Sequence, residues 1–485
     1  MKSTLLCFVA LSHAADVSTL PTLLSSISSE VFPSLRAIAI DIWKHPEIGL
    51  DEHHAHDLVV DYFTKEEPGL WAVTPHAYGM ATSWELNFEN RPAGTPPDAE
   101  LPVLGFMAEY DALVGIGHAC GHNHIVLNGL AAATMARQAL IDLGIPAQLK
   151  VMGTPDEENM CGKHTLVQAG AFDGVDVWFM AHPTSTSAIQ PMNARLNAIT
   201  AYKASTHADT VRAAYQAMVA VRDLVAAGLP ATASSAVPIE DVGMFECNVV
   251  QGQISLGVAG LTAAQVNQTV ASILDSTYPN VTYTVAMDAD GVNLTSFGPG
   301  GHASESSKGP LVLTIETFRA LSGQSGVSFY LPGNTSVTEL DITFDVRTRY
   351  STDIDTVFDA VTSTVEGIAS SVSQDVPYLA LEVTPYVPDL FINLMKSPDY
   401  GSQTDWAVST TAPASTDAGW VQGAVGICEN DGLCAFNHEP PFRNVSGTEY
   451  SYSRTEVVAR AQAHLAVQLL NDPGMMANAT AIIRK

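Results

Sequence analysis

The sequence predicts an α/β protein in which a mixed, largely parallel sheet is combined with an inserted α+β lid. Up to about residue 196, helical periodicity alternates with short apolar runs, which is typical of strands joined by crossover helices. From residue 197 to 391 the chain turns to Thr-, Ser- and Val-rich strands between amphipathic helices. At 485 residues the chain is also too long for one ordinary core. Two domains are therefore expected.

The expected domains are a first, site-bearing domain over 15–196 and 392–485 and a lid over 197–391. Within the lid a weak internal repeat relates 197–290 to 291–391, because each half contains a His-Ala pair, then a helix, then a strand. Duplicated ferredoxin-like units would give this pattern. Two similar β-α-β units that arose independently would also give it.

The first 14 residues have the features of a signal peptide. Met1 and Lys2 precede an apolar run from Leu5 to Leu11, and small residues lead to a predicted cleavage after Ala14. An ordinary N-terminal helix is the alternative. Export is supported by six sequons for N-glycosylation, at Asn267, Asn280, Asn293, Asn334, Asn444 and Asn478. The expected location is extracellular.

Composition excludes several classes of partner. Hydrophobic residues make up 46% of the chain and charged residues 15%, which is typical of a folded globular protein. With 51 acidic and 22 basic side chains the formal net charge is −29, so nucleic acids and anionic membrane surfaces would be repelled. Apart from the signal, no apolar stretch is expected to span a membrane.

The cysteines divide into two groups. Cys7 would leave with the signal, so an odd number remains of the six. Cys428 and Cys434, in a Gly-containing loop, are the disulfide candidates. Cys120 is expected to have a chemical role.

Metal-binding residue types follow three of the apolar runs. The runs are 101–107, 147–152 and 175–180, and they are followed by 108–122, Gly153–Glu158 and Ala181–Pro183. Because ligands bind outside the carboxyl ends of parallel strands, these clusters are expected to meet in one crevice. Cys120, His122, a carboxylate of the Glu157–Glu158 pair, His182 and His438 are the candidate ligands.

Each candidate also has a plainer explanation. Cys120 could be a buried structural cysteine, and either His182 or His438 alone would more often be structural. Adjacent acidic residues such as Glu157 and Glu158 are usually a solvated surface. We assign Glu158 as the metal ligand and Glu157 as the general base, because neighbouring side chains at a strand end point apart.

Together these segments resemble the aminoacylase and carboxypeptidase family of co-catalytic zinc peptidases. The motifs are Trp43-Lys-His-Pro-Glu-Ile-Gly-Leu, Ala108-Glu-Tyr-Asp-Ala-Leu, Gly117-His-Ala-Cys-Gly-His-Asn, Gly153-Thr-Pro-Asp-Glu-Glu and Ala181-His-Pro. They resemble most closely the amidohydrolase branch, with its hippurate hydrolases, auxin-amino-acid-conjugate hydrolases and aminoacylase-like proteins.

The resemblance implies two divalent metal ions bridged by Cys120, with His122, Glu158, His182 and His438 completing the ligand set. The thiolate favours zinc, and manganese and cobalt are alternatives. The implied function is a secreted amidohydrolase or peptidase that cleaves N-acyl-amino acids or small peptides with metal-activated water and Glu157 as general base. A Cys120/His122 thiol hydrolase and an inactive binding protein on the same scaffold are the rival hypotheses.

The resemblance also implies substrate contacts from the lid. His302 matches the family's lid histidine, Asn334 its asparagine and Arg347 its arginine, which would grip the substrate carboxylate. The spacing after His182 also allows His207 as the lid histidine. Asn334 is a sequon as well, and it cannot serve in both roles. A duplicated lid implies a monomer, whereas a single lid implies a homodimer.

Overall fold

The computed structural model describes residues 15–159, 161–228, 237–239, 249–250, 252–274, 280–298, 301–302, 309–383, 385–410, 414–417, 422–426 and 435–483. The predicted signal peptide over 1–14 and the predicted disulfide partners Cys428 and Cys434 lie outside these residues.

The strands and helices of the described residues are numbered in chain order. The strands are β1 (Ala72–Pro75), β2 (Trp84–Asn90), β3 (Val103–Ala108), β4 (Ala147–Gly153), β5 (Val177–Thr184), β6 (Ala188–Ile189), β7 (Ala194–Lys203), β8 (Val237–Ile239), β9 (Val249–Val250), β10 (Gln253–Ala259), β11 (Thr282–Met287), β12 (Val292–Phe297), β13 (Gly301–His302), β14 (Ser328–Tyr330), β15 (Glu339–Thr348), β16 (Ser371–Gln374) and β17 (Gln422–Gly426). The helices are α1 (Leu20–Lys44), α2 (His53–Lys65), α3 (His122–Leu143), α4 (Gly162–Gln168), α5 (His207–Ala226), α6 (Ala263–Ile273), α7 (Pro310–Leu321), α8 (Ile354–Val365), α9 (Tyr386–Lys396), α10 (Pro440–Val445), α11 (Glu449–Asn471) and α12 (Pro473–Ile483).

The first domain is built on a seven-stranded sheet with the order β1-β2-β4-β3-β5-β17-β6. Its middle strands β4, β3, β5 and β17 are parallel, whereas β1, β2 and β6 join antiparallel at the two sides. The predicted mixed, largely parallel sheet is therefore confirmed. The segments that follow β3, β4 and β5 all leave from the same edge of the sheet.

Three long helices cover this sheet. Helix α3 is almost wholly buried and packs against α1, α11 and the central strands. Helix α1 is long and apolar enough to cross a membrane by length and composition, contrary to the sequence-based expectation. Nine of its residues are buried, and it packs on α3 and α11. These contacts are those of a core helix, because the apolar side chains are already covered by protein.

The lid has its own hydrophobic core and two four-stranded sheets, with the orders β16-β7-β15-β8 and β11-β12-β10-β14. The predicted repeat halves are not separate units, since each half supplies strands to both sheets: 197–290 contains most of β7 and all of β10, and 291–391 contains β12 and β15. The duplication stays a prediction, and its halves would be intertwined.

The chain enters the lid near residues 192–195 and returns from it near residues 378–381, and these two connecting segments, here called the chain crossings, pair with each other. Met192 and Leu381 exchange both backbone hydrogen bonds, and Arg195 and Tyr378 do the same at 2.8 and 2.9 Å. Helix α9 follows these crossings and packs in the first core, so the lid ends before residue 391, its predicted boundary.

Candidate metal centre

Two of the predicted ligands lie at the start of α3. Gly121 has φ +81°, a left-handed conformation that glycine adopts without strain, and His122 is the first residue of the helix. A Cβ at residue 121 would also lie 2.6 Å from the ring of Pro183. This tight turn lets Cys120 and His122 approach the carboxyl ends of β3 and β5 together.

The structure brings all five predicted ligands into one cluster. Cys120 Sγ lies 3.4 Å from His182 Nε2. Glu158 Oε1 lies 3.5 Å from His122 Nε2 and 3.4 Å from His438 Nε2. Cys120, His122, Glu158 and His438 are buried, and His182, inside β5 rather than after it, is half-buried.

These distances match the spacing of ligand atoms around one metal ion. Two ligand atoms on one tetrahedral zinc ion lie roughly 3.3–3.8 Å apart, since each bond is about 2.0–2.3 Å long. Within the described residues His122 Nε2 is buried and has no hydrogen-bond partner, although carboxylate oxygens of Glu158 and Glu109 lie 3.5 and 3.6 Å away. The residues present therefore fit a bound cation.

Two groups of three ligands share one sulfur atom. Cys120, His122 and His182 form one group, and Cys120, Glu158 and His438 form the other, with ligand atoms all within 4.8 Å of one another in each. A third group, Glu109, His122 and Glu157, lies beside them. The arrangement has the donor set and the shared thiol that a bridged pair of ions would require.

Neighbouring groups fix the orientation of the ligands. Asp111 Oδ1 is 2.7 Å from His122 Nδ1, and its Oδ2 accepts the backbone N–H of Glu158 at 2.9 Å. His182 Nδ1 is 2.9 Å from the carbonyl oxygen of Pro183. Both rings thus turn Nε2 toward the cluster, which is the usual way in which an outer partner sets the tautomer of a ligating histidine.

Asn437 positions the late segment that carries His438. Its amide donates to the carbonyl oxygens of Cys120 at 3.1 Å and Pro183 at 2.8 Å. The backbone N–H of His438 donates to Ala119 at 2.9 Å, and His438 itself has φ +69°. A strained backbone and three long-range bonds hold this ligand in place.

The surroundings of the cluster are strongly negative. Burial lowers the pKa of His122, but Asp111 and Cys120 outweigh burial and raise that pKa well above its ordinary value. Burial, followed by Glu109 and Glu158, raises the pKa of Glu157 well above that of an exposed glutamate. So many acidic groups at one buried point attract cations.

Glu157 is buried beside the ligands, in the loop that follows β4. Its backbone carbonyl accepts the hydroxyl of Tyr378 at 2.5 Å. Tyr378 lies on the returning chain crossing, and the Arg195 guanidinium stacks 4.0 Å from the centre of its ring. The proposed general base is therefore bonded directly to the crossing that carries the lid.

A buried lysine balances part of the negative charge. Lys163 Nζ lies 2.6 Å from Glu109 Oε1 and 2.5 Å from Asp417 Oδ1. Burial lowers the pKa of Lys163, but Asp417 and Glu109 raise it above its usual value, so the side chain stays charged. This ion triad joins the segments after β3 and at the start of α4 to the chain just before β17.

Two other histidines of the same motif have structural roles. His118 Nε2 lies 3.2 Å from the carbonyl oxygen of Ile42, and His124 contacts Ser446 and Thr455. Burial lowers the pKa of His118 to about 3 and that of His124 to about 4. Both rings are neutral near pH 7, and neither belongs to the ligand groups.

The predicted lid residues are not part of the described cluster. Both ring nitrogens of His207 form hydrogen bonds with the backbone of the lid, Nδ1 with Val337 O at 2.6 Å and Nε2 with Leu331 N at 3.0 Å. Asn334 lies exposed in the turn between β14 and β15. Arg347 is buried and paired with Asp345 at 2.7 and 2.9 Å. His302 lies opposite Val249 in the β13–β9 pair, and its side chain is outside the described part of the structure.

The sequence analysis did not predict four residues that position the site: Asp111, Lys163, Asn437 and Asp417. Asp111 stands in a motif that the sequence already singled out, so the motif itself was a usable signal. Asn437 adjoins the predicted ligand His438, which was a signal for it, whereas Lys163 gave none, because its partner Asp417 is 254 residues away.

Comparison with known proteins gives two kinds of relative. The Xaa-Arg dipeptidase of Homo sapiens is 45% identical over 164 residues, which are 33% of this chain and 37% of the human protein. A subunit of the p-aminobenzoyl-glutamate hydrolase of Escherichia coli K12 is 28% identical over 163 residues, 30% of this chain and 31% of that protein. The predicted family resemblance is confirmed. No protein-family model matches the chain.

The fold is also shared with a solved structure. A candidate aminohydrolase from methicillin-resistant Staphylococcus aureus superposes with a TM-score of 0.53 over 92% of this chain and 98% of its own, at 15% identity. This agreement extends over nearly the whole chain and concerns the fold alone. The sequence match spans little more than a third of the dipeptidase, 37% of its length, so the activity of this chain is argued from its own site.

Proposed function

We propose that this protein is a metal-dependent amidohydrolase or peptidase that cleaves the amide bond of N-acyl-amino acids or short peptides. The observation that carries the proposal is the pair of three-ligand groups that share Cys120. The relatives support the same reaction class, since one is named a dipeptidase and the other hydrolyses p-aminobenzoyl-glutamate by its name.

The residues proposed to hold the metal are Cys120, His122, Glu158, His182 and His438. When bound there, a pair of divalent ions would lower the pKa of water and stabilise the negative charge that develops on the amide oxygen. A thiol with imidazole and carboxylate ligands favours zinc, with manganese and cobalt as alternatives. Cys120 would be deprotonated in this role, which explains a free buried thiol in the first domain.

Glu157 is proposed to move the proton. It is buried beside the ligands but is not in either group that shares Cys120, so its carboxylate remains available to accept a proton from water and pass it to the leaving amine. Burial, followed by Glu109 and Glu158, raises the pKa of Glu157, and divalent ions beside it would lower that pKa and so favour the ionised carboxylate that accepts the proton.

For the substrate we propose an amino acid or dipeptide unit with a free carboxylate. Arg347 uses Nε and one terminal nitrogen on Asp345, and its other terminal nitrogen has no hydrogen-bond partner among the described residues. We keep Arg347 and His302 as proposed lid contacts. Asn334 is better explained as a glycosylation site, because it is exposed.

We further propose that the protein is exported and glycosylated. The asparagines of five sequons, Asn267, Asn280, Asn334, Asn444 and Asn478, are exposed, as attachment of a glycan requires. The intertwined lid halves are compatible with a monomer and with a homodimer, and sedimentation of the purified protein distinguishes them.

The deciding experiment is elemental analysis of purified protein together with a substrate panel of N-acyl-amino acids, Xaa-Arg dipeptides and p-aminobenzoyl-glutamate. We expect about two metal ions per chain and hydrolysis that is lost on chelation and restored by zinc. Activity that resists chelators but is lost on alkylation of Cys120 would establish the thiol hydrolase instead. A protein with no bound metal and no turnover would be a binding protein on this fold.

A further inference from the structure

A second cluster of metal-binding side chains lies on the surface, where α1 ends and α2 begins. It consists of Asp41, His45 and His54, whose ligand atoms lie within 4.8 Å of one another. None of these residues belongs to the buried centre. We propose that they form an additional site for a divalent transition-metal ion such as Zn²⁺.

The geometry of the cluster follows from two helix ends. Asp41 and His45 are four residues apart at the end of α1, so their side chains share one face. His54 is the second residue of α2. Asp41 Oδ1 lies 3.0 Å from His45 Nδ1 and 2.6 Å from His54 Nε2, and the two rings meet edge to face with centroids 4.9 Å apart. The three ligand atoms are close enough to share one ion once the hydrogen bonds between the Asp41 carboxylate and the two rings are exchanged for bonds to the metal.

The donor set and the exposure suit a transition metal. Two imidazole nitrogens and one carboxylate oxygen are ligands of Zn²⁺, and hard cations such as Mg²⁺ prefer oxygen alone. The three side chains are 41–58% exposed, so water can fill the remaining coordination positions. The hydrogen bonds of Asp41 to the two rings hold the side chains together before an ion arrives.

An ion here would close a loop that touches the buried centre. Residues 46–52 connect the two helices, and the carbonyl of Glu47 accepts the backbone N–H of Ala112 at 2.7 Å. Glu52 Oε1 accepts the backbone N–H of Asp156 at 2.9 Å. Ala112 follows Asp111 and Asp156 precedes Glu157. The surface ion would therefore fix both ends of a loop that supports the segments of the first site.

The test is calorimetric titration of Zn²⁺ into the wild-type protein after dialysis has removed loosely held metal. We expect one further ion per chain at micromolar affinity, and a rise in unfolding temperature on its addition. His54→Gln and His45→Gln should each weaken this binding by roughly tenfold or more, because each removes one of three protein ligands.

His53→Gln is the matched control. His53 is the neighbour of His54, is similarly exposed, and has its Nε2 3.7 Å from Asp51 outside the cluster. It should bind Zn²⁺ like the wild type. The proposal would be overturned if His45→Gln and His54→Gln bound Zn²⁺ as tightly as His53→Gln does, or if the wild type bound no additional ion. His54 is not one of the proposed ligands of the buried centre, so metal bound there and hydrolysis are measured in His54→Gln as well, and their retention separates this result from failure of the proposed function.

Discussion

Asp111 holds two of the proposed ligands at once, one through each carboxylate oxygen. Asp111→Asn keeps the shape but replaces one oxygen with an N–H₂ group, so either the ring of His122 or the backbone of Glu158 loses its acceptor. We expect metal affinity to fall by about 10- to 100-fold, measured by competition with a chromogenic chelator. Asp173→Asn, at an exposed position, is the control and should bind metal normally.

Glu157 and Glu158 are adjacent but have different proposed roles. Glu157→Gln should reduce kcat by roughly 10²- to 10⁴-fold while metal content stays the same, because the proton acceptor is lost and no ligand is removed. Glu158→Gln should lose metal as well as activity. Elemental analysis and steady-state kinetics on both variants check this. Full activity in Glu157→Gln would show that another group moves the proton.

At this scale the sequence was sufficient to nominate ligands and a base, because metal chemistry restricts the residue types and the apolar runs indicate where strands end. It was not sufficient for the groups that hold them. Whether a buried Lys163 meets Glu109 and Asp417 depends on how three distant segments pack, and no local pattern encodes that contact. Spacing likewise does not reveal that backbone groups occupy both ring nitrogens of His207, the alternative lid histidine.

Among the elements, the segment around Tyr378, where the chain returns from the lid, is hydrogen-bonded to the loop that carries the proposed general base Glu157. Tyr378→Phe removes the hydroxyl that donates to Glu157 and leaves a buried carbonyl without that partner, at a cost of about 1–3 kcal/mol. We expect kcat to fall several-fold with KM and metal content little changed, because the base is less firmly placed.

Tyr202→Phe is the matched control for that variant. Tyr202 is also fully buried, and its hydroxyl accepts from Thr200 inside the lid. Tyr202→Phe should lower the free energy of unfolding, measured by chemical denaturation, by a similar amount but leave kcat unchanged. If both variants lowered kcat equally, the effect of Tyr378 would be one of stability alone.

The loop between β4 and α4 closes tightly at Gly162. A Cβ there would lie 1.9 Å from the carbonyl oxygen of Pro155, and backbone cannot move aside as a side chain can. Gly162→Ala should therefore lower stability by about 1–3 kcal/mol and reduce metal affinity, since Glu157 and Glu158 lie within the displaced loop. Gly323→Ala, where the added methyl meets nothing, should do neither; thermal unfolding and metal titration compare the two.

For the whole molecule, two separate hydrophobic cores predict that metal removal acts on one domain. All the tryptophans lie outside 197–391, at Trp43, Trp71, Trp84, Trp178, Trp406 and Trp420. Tryptophan fluorescence therefore follows the first domain, whereas far-ultraviolet circular dichroism follows both.

On chelation we expect the midpoint temperature of unfolding measured by tryptophan fluorescence to fall by about 10 °C, because a bound ion stabilises only the folded site. Circular dichroism should then show a second transition that does not respond to metal. A single transition that shifts equally in both signals would mean that the two cores unfold as one unit. Re-addition of zinc should restore the original curves.

The whole-molecule prediction from sequence succeeded for the sheet and was incomplete for the lid. Each buried parallel strand is a continuous apolar run that can be recognised from its local sequence alone. Three such runs indicated where the loops that carry the proposed ligands begin. In the lid, β7 pairs with β15 and β10 pairs with β12, and each pair joins distant segments of the chain. Local sequence composition therefore predicted that a lid exists but not which of its strands pair.

The position of β17 has a consequence for synthesis. It lies between β5 and β6, yet β6 ends at Ile189 and β17 begins at Gln422, after the entire lid has been made. A growing chain on the ribosome must therefore keep the free edge of β5 unpaired while the lid assembles its own core. Such an edge is a template for aggregation, so the nascent protein should depend on chaperones until the segment that contains β17 emerges.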